Sequence, residues 1–399
     1  MPQDSIIVKE TLDAKVTEET SGERHLNQYH IQRVLGSGSF GIVHLSLDAD
    51  SNTLVAIKEF SKSKLRKQQA LKNGLFIGAC RGRGRGRGRG AGPANLAASG
   101  NSHAIVAKPV ENPIDLVRGE IAILKKLRHR NIVKLYEVLD DPDQDSLFMV
   151  FELCEKGSLM DIGLDHPAPP LDIDLSRRYM QEMVLGIEYL HEHDIAHRDI
   201  KPDNMMISKD GTLKIVDFGV SEIFTKDTGT VVKSAGSPAF YSPEMCTARH
   251  GDLSVKPVDI WALGVTLYCM IFGVLPFSGT SLLDLYENIR VKEPIYPNVT
   301  DPSLLDILKR QLDKNPLTRI TMDELRVHPW LSNHGKQPLI TKEKNCAELV
   351  LAVTQTEVDA AVKPIHSLLT VLKAVTKLKG FGKSGAAIPH PPTGENHSK

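Results

Sequence analysis

Four short strings occur in one order along the chain: LGSGSFGIV at residues 35–43, VAIKEF at 55–60, HRDIKPDN at 197–204 and DFG at 217–219. Each is weak alone. Together, in this order and at this spacing, they confine the fold to one in which a glycine hairpin, a strand lysine and two acidic loops converge on a phosphate. Phosphoryl transfer asks for positioned charge more than for covalent chemistry, and these strings supply it. A lone GxGxxG also opens dinucleotide-binding helices. Here the run is flanked by segments of strand character, so it turns back as a hairpin, which selects ATP.

The residue types match that chemistry. Gly36, Gly38 and Gly41 let the backbone close over phosphates with its N–H groups inward, and Leu35, Ser39 and Phe40 complete the loop. Val43 and Ala56 give an adenine slot small apolar walls. Lys58 stands in an otherwise apolar strand as a point charge for the α- and β-phosphates and needs a carboxylate to hold it; Glu120, on a helical stretch, is the candidate. Asp199 is placed to accept the proton of a substrate hydroxyl, with Lys201 two residues on. Asn204 and Asp217 are oxygen ligands for Mg2+.

Composition narrows the setting. Lysine plus arginine and aspartate plus glutamate number 49 each, which argues against a globally basic nucleic-acid binder. Five cysteines are scattered without a CxxC pair, so a reducing compartment, cytoplasmic or nuclear, is expected. The opening MPQDSIIVKE lacks the basic and apolar regions of a signal peptide. The apolar run at 260–277 approaches membrane-span length, but it contains Thr266, two glycines and Pro276, and follows Asp259 directly; a buried core helix is expected, with no membrane span.

Residues 1–28 are polar without clear periodicity and read as a flexible leader. From Tyr29 alternation signals strands at 29–38, 41–48, 54–60, 132–140 and 146–153, with a helix over 118–127 whose apolar face holds Ile121, Leu124 and Leu127. Beyond Cys154 the pattern is helical; Leu175, Tyr179, Met183, Ile187 and Leu190 form one core-facing stripe. Residues 71–113, containing RGRGRGRGRG at 81–90, are too long and too charged for an ordinary connection and read as a disordered insertion. Docking of a protein partner, nucleic-acid binding and an inert insertion are its alternatives; stable nucleic-acid binding is not expected.

These motifs resemble the protein kinase family over residues 29–331, ending in RITMDELRVHPWL. The resemblance implies an α+β, two-lobed fold: a small β-rich N-lobe at 29–154, a larger helical C-lobe at 155–332 and a tail at 333–399. Lys201 is similar to the lysine of Ser/Thr kinases. By the same likeness Phe151 is the gatekeeper, Glu152 to Cys154 the hinge, and Met206 a further nucleotide contact. Ser237 of GSPAF would contact Asp199 and Lys201, and Glu244 of SPEM would pair with Arg319 of LTRI.

More narrowly, residues 120–142, 147–157, 186–202 and 259–277 resemble the calcium/calmodulin-dependent protein kinase kinases. Those enzymes carry an Arg/Pro-rich insertion after the lysine strand, where this chain is Arg/Gly-rich. The resemblance implies phosphorylation of activation-loop threonines in other protein kinases and a calmodulin-binding tail. Within the tail, residues 364–383 place Leu368, Leu369, Leu372 and Val375 on one helical face and Lys373 and Lys377 opposite, with no acid. Such a helix suits calmodulin, a membrane surface or the kinase itself. A Ser/Thr kinase with calmodulin-independent control and an RG-tract RNA-associated or scaffold protein stand as alternatives.

Overall fold

The computed structural model describes residues 8–20, 22–37, 41–64, 113–219, 221–223, 230–231, 236–247 and 253–347. Most of the insertion, the helix expected at 364–383, and Gly38, Ser39 and Phe40 lie outside them. Eight strands form the first sheet: β1 (Lys9–Thr11), β2 (Val16–Glu18), β3 (Arg24–Leu26), β4 (Tyr29–Ser37), β5 (Gly41–Asp48), β6 (Thr53–Ser61), β7 (Leu135–Asp140) and β8 (Ser146–Glu152). Their order is β1-β7-β8-β6-β5-β4-β3-β2, so β1 and β2 occupy opposite ends although only residues 12–15 separate them. Laid flat, eight strands would span about 34 Å. Five peptide steps reach at most about 18 Å. The sheet therefore curls until its ends approach.

Residues 8–28 are thus not the loose leader that their composition suggests. β1 runs parallel to β7, β3 pairs with β4, and Ala14 N–H donates to the Asp140 carbonyl. Ala14 and Leu26 join Tyr29, Val55, Ile57, Leu139, Phe148 and Val150 in a buried core. Three-residue strands are too short to show alternation in sequence; pairing with the longer β7 and β4 recruits β1 and β3, and β3 in turn pairs with β2. Glu137 of β7, buried at 2% exposure, accepts from Tyr29 Oη at 2.7 Å and faces Lys9 Nζ at 3.1 Å.

After β6 the chain is fastened before the insertion. Lys62 is buried and donates to the carbonyls of Asp141 and Gln144, with its ammonium against Asp140, while Ser63 N–H donates to Asp145. Helix α1 (Pro113–Lys126) follows, longer at its start than the expected 118–127; a proline opens helices well because its missing N–H would have no helical partner there. Ile121, Leu124 and Leu127 are buried as expected.

The second lobe is built on α2 (Ile173–Glu192), α3 (Val255–Phe272), α4 (Leu282–Val291), α5 (Pro302–Gln311) and α6 (Met322–Arg326). Short strands lie between α2 and α3: β9 (Ile195–Ala196), β10 (Met205–Ile207), β11 (Leu213–Ile215), β12 (Glu222–Ile223), β13 (Thr230–Val231) and β14 (Leu253–Ser254). In α2, Tyr179, Met183, Ile187 and Leu190 are buried and Leu175 partly so. Helix α3 is long and apolar enough to cross a membrane, yet 72% of it is buried inside the protein, as in a core helix. It stops at Gly273, whose positive φ caps it, so the apolar run at 260–277 is divided between a helix and a turn. The C-lobe does not end at 332: residues 333–347 remain packed on it, with a short helix α7 (Lys342–Asn345) against α2.

Candidate active site

Between the sheet and the second lobe lies a cleft of about 790 Å³. Leu35, Gly36, Gly41, Val43, Ala56, Lys58, Phe151, Glu152, Cys154 and Met206 all line it, and so do Glu120, Asn204 and Asp217. Register explains the roof. Val43 sits opposite Lys58, Leu45 opposite Ala56, and Ala56 opposite Phe151, so alternate side chains of β5 and β6 share the cleft face. Gly41 is dictated by packing: a Cβ there would lie 2.1 Å from the Glu59 carbonyl oxygen. Leu153 of the expected hinge lines the cleft as well, as do Val133 and Val216, which were not singled out from sequence.

Lys58 Nζ donates to Glu120 Oε1 at 3.0 Å and to Asp217 Oδ1 at 3.1 Å. Burial opposes the lysine's charge, but the carboxylates of Glu120 and Asp217 outweigh it and raise the pKa above the ordinary lysine value. Asp217 shifts the other way: burial pushes it up, and the Lys58 charge and hydrogen bond prevail, leaving its pKa lowered. Lys58 and Asp217 are thus both charged at neutral pH, whereas at Glu120 burial outweighs the Lys58 charge and raises the carboxyl pKa. Asp217 adopts φ 63°, a left-handed conformation uncommon for non-glycine residues and one often found where strain serves a site.

The second cluster belongs to the loop after β9. Ser237 Oγ donates to Asp199 Oδ1 at 2.9 Å and accepts from Lys201 Nζ at 2.7 Å, while Lys201 lies 3.1 Å from Asp199 Oδ2. Asn204 Nδ2 donates to the Asp199 carbonyl at 2.7 Å and to Asp199 Oδ2 at 2.9 Å. Its amide nitrogen is thereby committed, leaving the side-chain carbonyl as an oxygen donor beside Asp217 in the same cleft. Two hard oxygen donors fit a divalent cation such as magnesium. Gly236, at φ 103°, lets the chain pass under the Arg198 carbonyl, which a Cβ would meet at 2.4 Å.

What holds this loop escaped the sequence reading. Asp259, fully buried in α3, accepts from His197 N–H at 3.1 Å and Arg198 N–H at 3.0 Å and contacts His191 Nε2 at 2.8 Å. Burial pushes its carboxyl pKa up, but the His191 contact and the other favourable partners bring it below the usual range. Asp259 thus fixes the positive φ of Arg198 (70°) one residue before Asp199. His197 donates from Nε2 to the Val216 carbonyl at 3.0 Å and stacks edge-on against buried Phe218, coupling the loop to DFG. An acid opening an apolar run is the one sequence signal for Asp259.

Glu244 and Arg319 pair through two hydrogen bonds of 2.7 and 2.9 Å, with the Arg319 side chain fully buried. The protein kinase domain model matches residues 101–331. The chain belongs to the protein kinase family. The match begins beyond the glycine-rich loop and Lys58, yet the fold brings both to the cleft of this kinase.

Among curated relatives, the kinase is 38% identical to the calcium/calmodulin-dependent protein kinase kinase cmkC of Emericella nidulans, over 96% of this chain and 74% of that protein. It is 40% identical to a probable serine/threonine-protein kinase of Dictyostelium discoideum, over 90% of this chain and 45% of that one. The calcium/calmodulin-dependent protein kinase kinase of Caenorhabditis elegans is 38% identical over 90% of this chain, which spans 62% of its length. The kinase is therefore a Ser/Thr protein kinase of the calcium/calmodulin-dependent protein kinase kinase family, using ATP and a divalent metal.

Proposed function

We propose that this kinase transfers the ATP γ-phosphate, with Mg2+ as its metal, to activation-loop serines or threonines of other protein kinases, under calcium/calmodulin control. The observation that carries this reading is the extent of the likeness to proteins named calcium/calmodulin-dependent protein kinase kinases: it covers 96% of the chain, well beyond the catalytic strings. Lys58, braced by Glu120, orients the phosphates. Asn204 and Asp217 would hold the metal, which when bound offsets charge on the phosphate oxygens. Asp199 accepts the proton of the acceptor hydroxyl while Ser237 and Lys201 fix its carboxylate. The four free cysteines among the described residues, Cys154, Cys246, Cys269 and Cys346, support a reducing, cytoplasmic or nuclear setting.

The basic amphipathic pattern of residues 364–383, which lie outside the described residues, supports calmodulin as partner. Calcium would open the hydrophobic grooves that receive its leucines. The test is phosphate transfer to a kinase activation-loop substrate with and without calcium and calmodulin. Transfer that rises with calcium/calmodulin is expected. Transfer indifferent to it, together with no calcium-dependent binding of a 358–385 peptide to calmodulin, would overturn the regulatory half and leave a calmodulin-independent Ser/Thr kinase.

A further inference from the structure

The segment following the kinase domain reaches a loop that bears on both carboxylate partners of Lys58, Glu120 and Asp217. Asn345, at the end of α7 and only 6% exposed, commits its whole side-chain amide. Its Oδ1 accepts from His129 Nε2 at 2.9 Å, and its Nδ2 donates to the Leu185 carbonyl and to Glu188 Oε2, both at 2.9 Å. Leu185 and Glu188 belong to α2. His129 belongs to the loop that leaves α1, the helix carrying Glu120. Its other ring nitrogen accepts from Asn131 N–H at 3.1 Å, so the imidazole is a neutral, fully used bridge.

That loop is fastened on its far side to the strand leading to Asp217. Ile215 N–H donates to the Asn131 carbonyl at 2.9 Å, Val133 N–H to the Ile215 carbonyl at 3.0 Å, and Asn131 Nδ2 to the Leu213 carbonyl at 3.0 Å. Asp217 follows Ile215 by two residues. Glu120 and Asp217 therefore hang from opposite sides of residues 127–133, and Asn345 pins those residues to α2. His129 also stacks on buried Tyr189 of α2 with ring centroids 4.8 Å apart. The segment bearing Asn345 has its own fastenings. Lys342 pairs with Glu192 at 2.9 Å, Arg326 pairs with Glu188 at 3.0 Å and donates to the Ile340 carbonyl, and Gln181 donates to the Gln337 carbonyl at 3.2 Å.

We infer that Asn345 is a positioning residue of the kinase: by bridging His129 to Glu188 it sets the loop that places Glu120 and Asp217 around Lys58. It touches neither nucleotide nor acceptor, and it acts through that loop. The inference rests on the phosphate-holding role of Lys58 and is independent of calmodulin and of the substrate's identity.

The test compares Asn345→Ala, His129→Phe and the double variant in the full chain, with kcat and KM for ATP measured well below each variant's melting temperature. His129→Phe removes the donor but keeps an aromatic ring on Tyr189. Because small displacements of catalytic groups can lower turnover up to about 10²-fold, a drop in kcat/KM for ATP of about five- to tenfold is expected in each single variant. The double variant should be no worse than either single one, since both remove the same bridge. A merely structural role would lower the melting temperature and leave kcat and KM for ATP within about twofold of the parent. That result, or additive losses in the double variant, overturns the inference. Should Asn345→Ala fail to fold, His129→Phe alone decides by the same split.

Discussion

The two charged clusters of the cleft are held in different ways. Asp199, Lys201 and Asn204 lie within six residues and inherit their geometry from one buried acid, Asp259, at the head of a core helix. Lys58, Glu120 and Asp217 come from three elements; Lys58 is 62 residues from Glu120 and 159 from Asp217. Local anchoring makes the first cluster a property of the folded C-lobe. The second exists only while a strand, a helix and a loop keep register, which makes it the natural point at which activity is raised or lowered.

Three substitutions probe that contrast. Asp199→Asn removes the proton acceptor and should lower kcat by about 10²–10⁴-fold with stability nearly unchanged; near-normal turnover in the folded variant would remove the acceptor role. Asp259→Asn leaves the shape but withdraws the buried charge from His191, His197 and Arg198. Hydrogen bonds to a charged acceptor contribute about 1.5–3 kcal/mol, so denaturant titration should show a loss of that order accompanied by reduced kcat. Unchanged stability would mean that the loop holds its own conformation. Glu120→Gln should have the smallest effect, since Asp217 still contacts Lys58: a charge-assisted hydrogen bond contributes about 1.5–3 kcal/mol, which predicts a fall of about 10- to 150-fold in kcat/KM for ATP. A loss as large as that of Asp199→Asn would erase the difference between the clusters.

Much of the site was legible because its residues recur in short strings whose chemistry constrains them: every expected catalytic residue that the structure describes lies in the cleft or bonds to one that does. The strands from Tyr29 and the core stripe of α2 were legible through periodicity. Three features were not. β1 to β3 are too short for alternation to register; β1 and β3 are strands because longer neighbours pair with them, and β2 because β3 does. Asp259 reads as the polar edge of an apolar run, since nothing local reveals that two backbone N–H groups about sixty residues away need an acceptor. Asn345 lies in a polar stretch beyond the last kinase string, and its burial depends wholly on tertiary contact.

The clamp formed by Lys62 and Ser63 on the β7–β8 turn bears on how this chain can vary. With the strand end tied to Asp140 and Asp145, and Pro113 opening the next helix, the joined ends are set independently of what runs between them. Doubling the number of residues that join two fixed ends adds only about 0.6 kcal/mol of closure entropy. The stretch between Lys58 and Glu120 is thus a site where length and composition can change while the ion pair across it keeps its geometry.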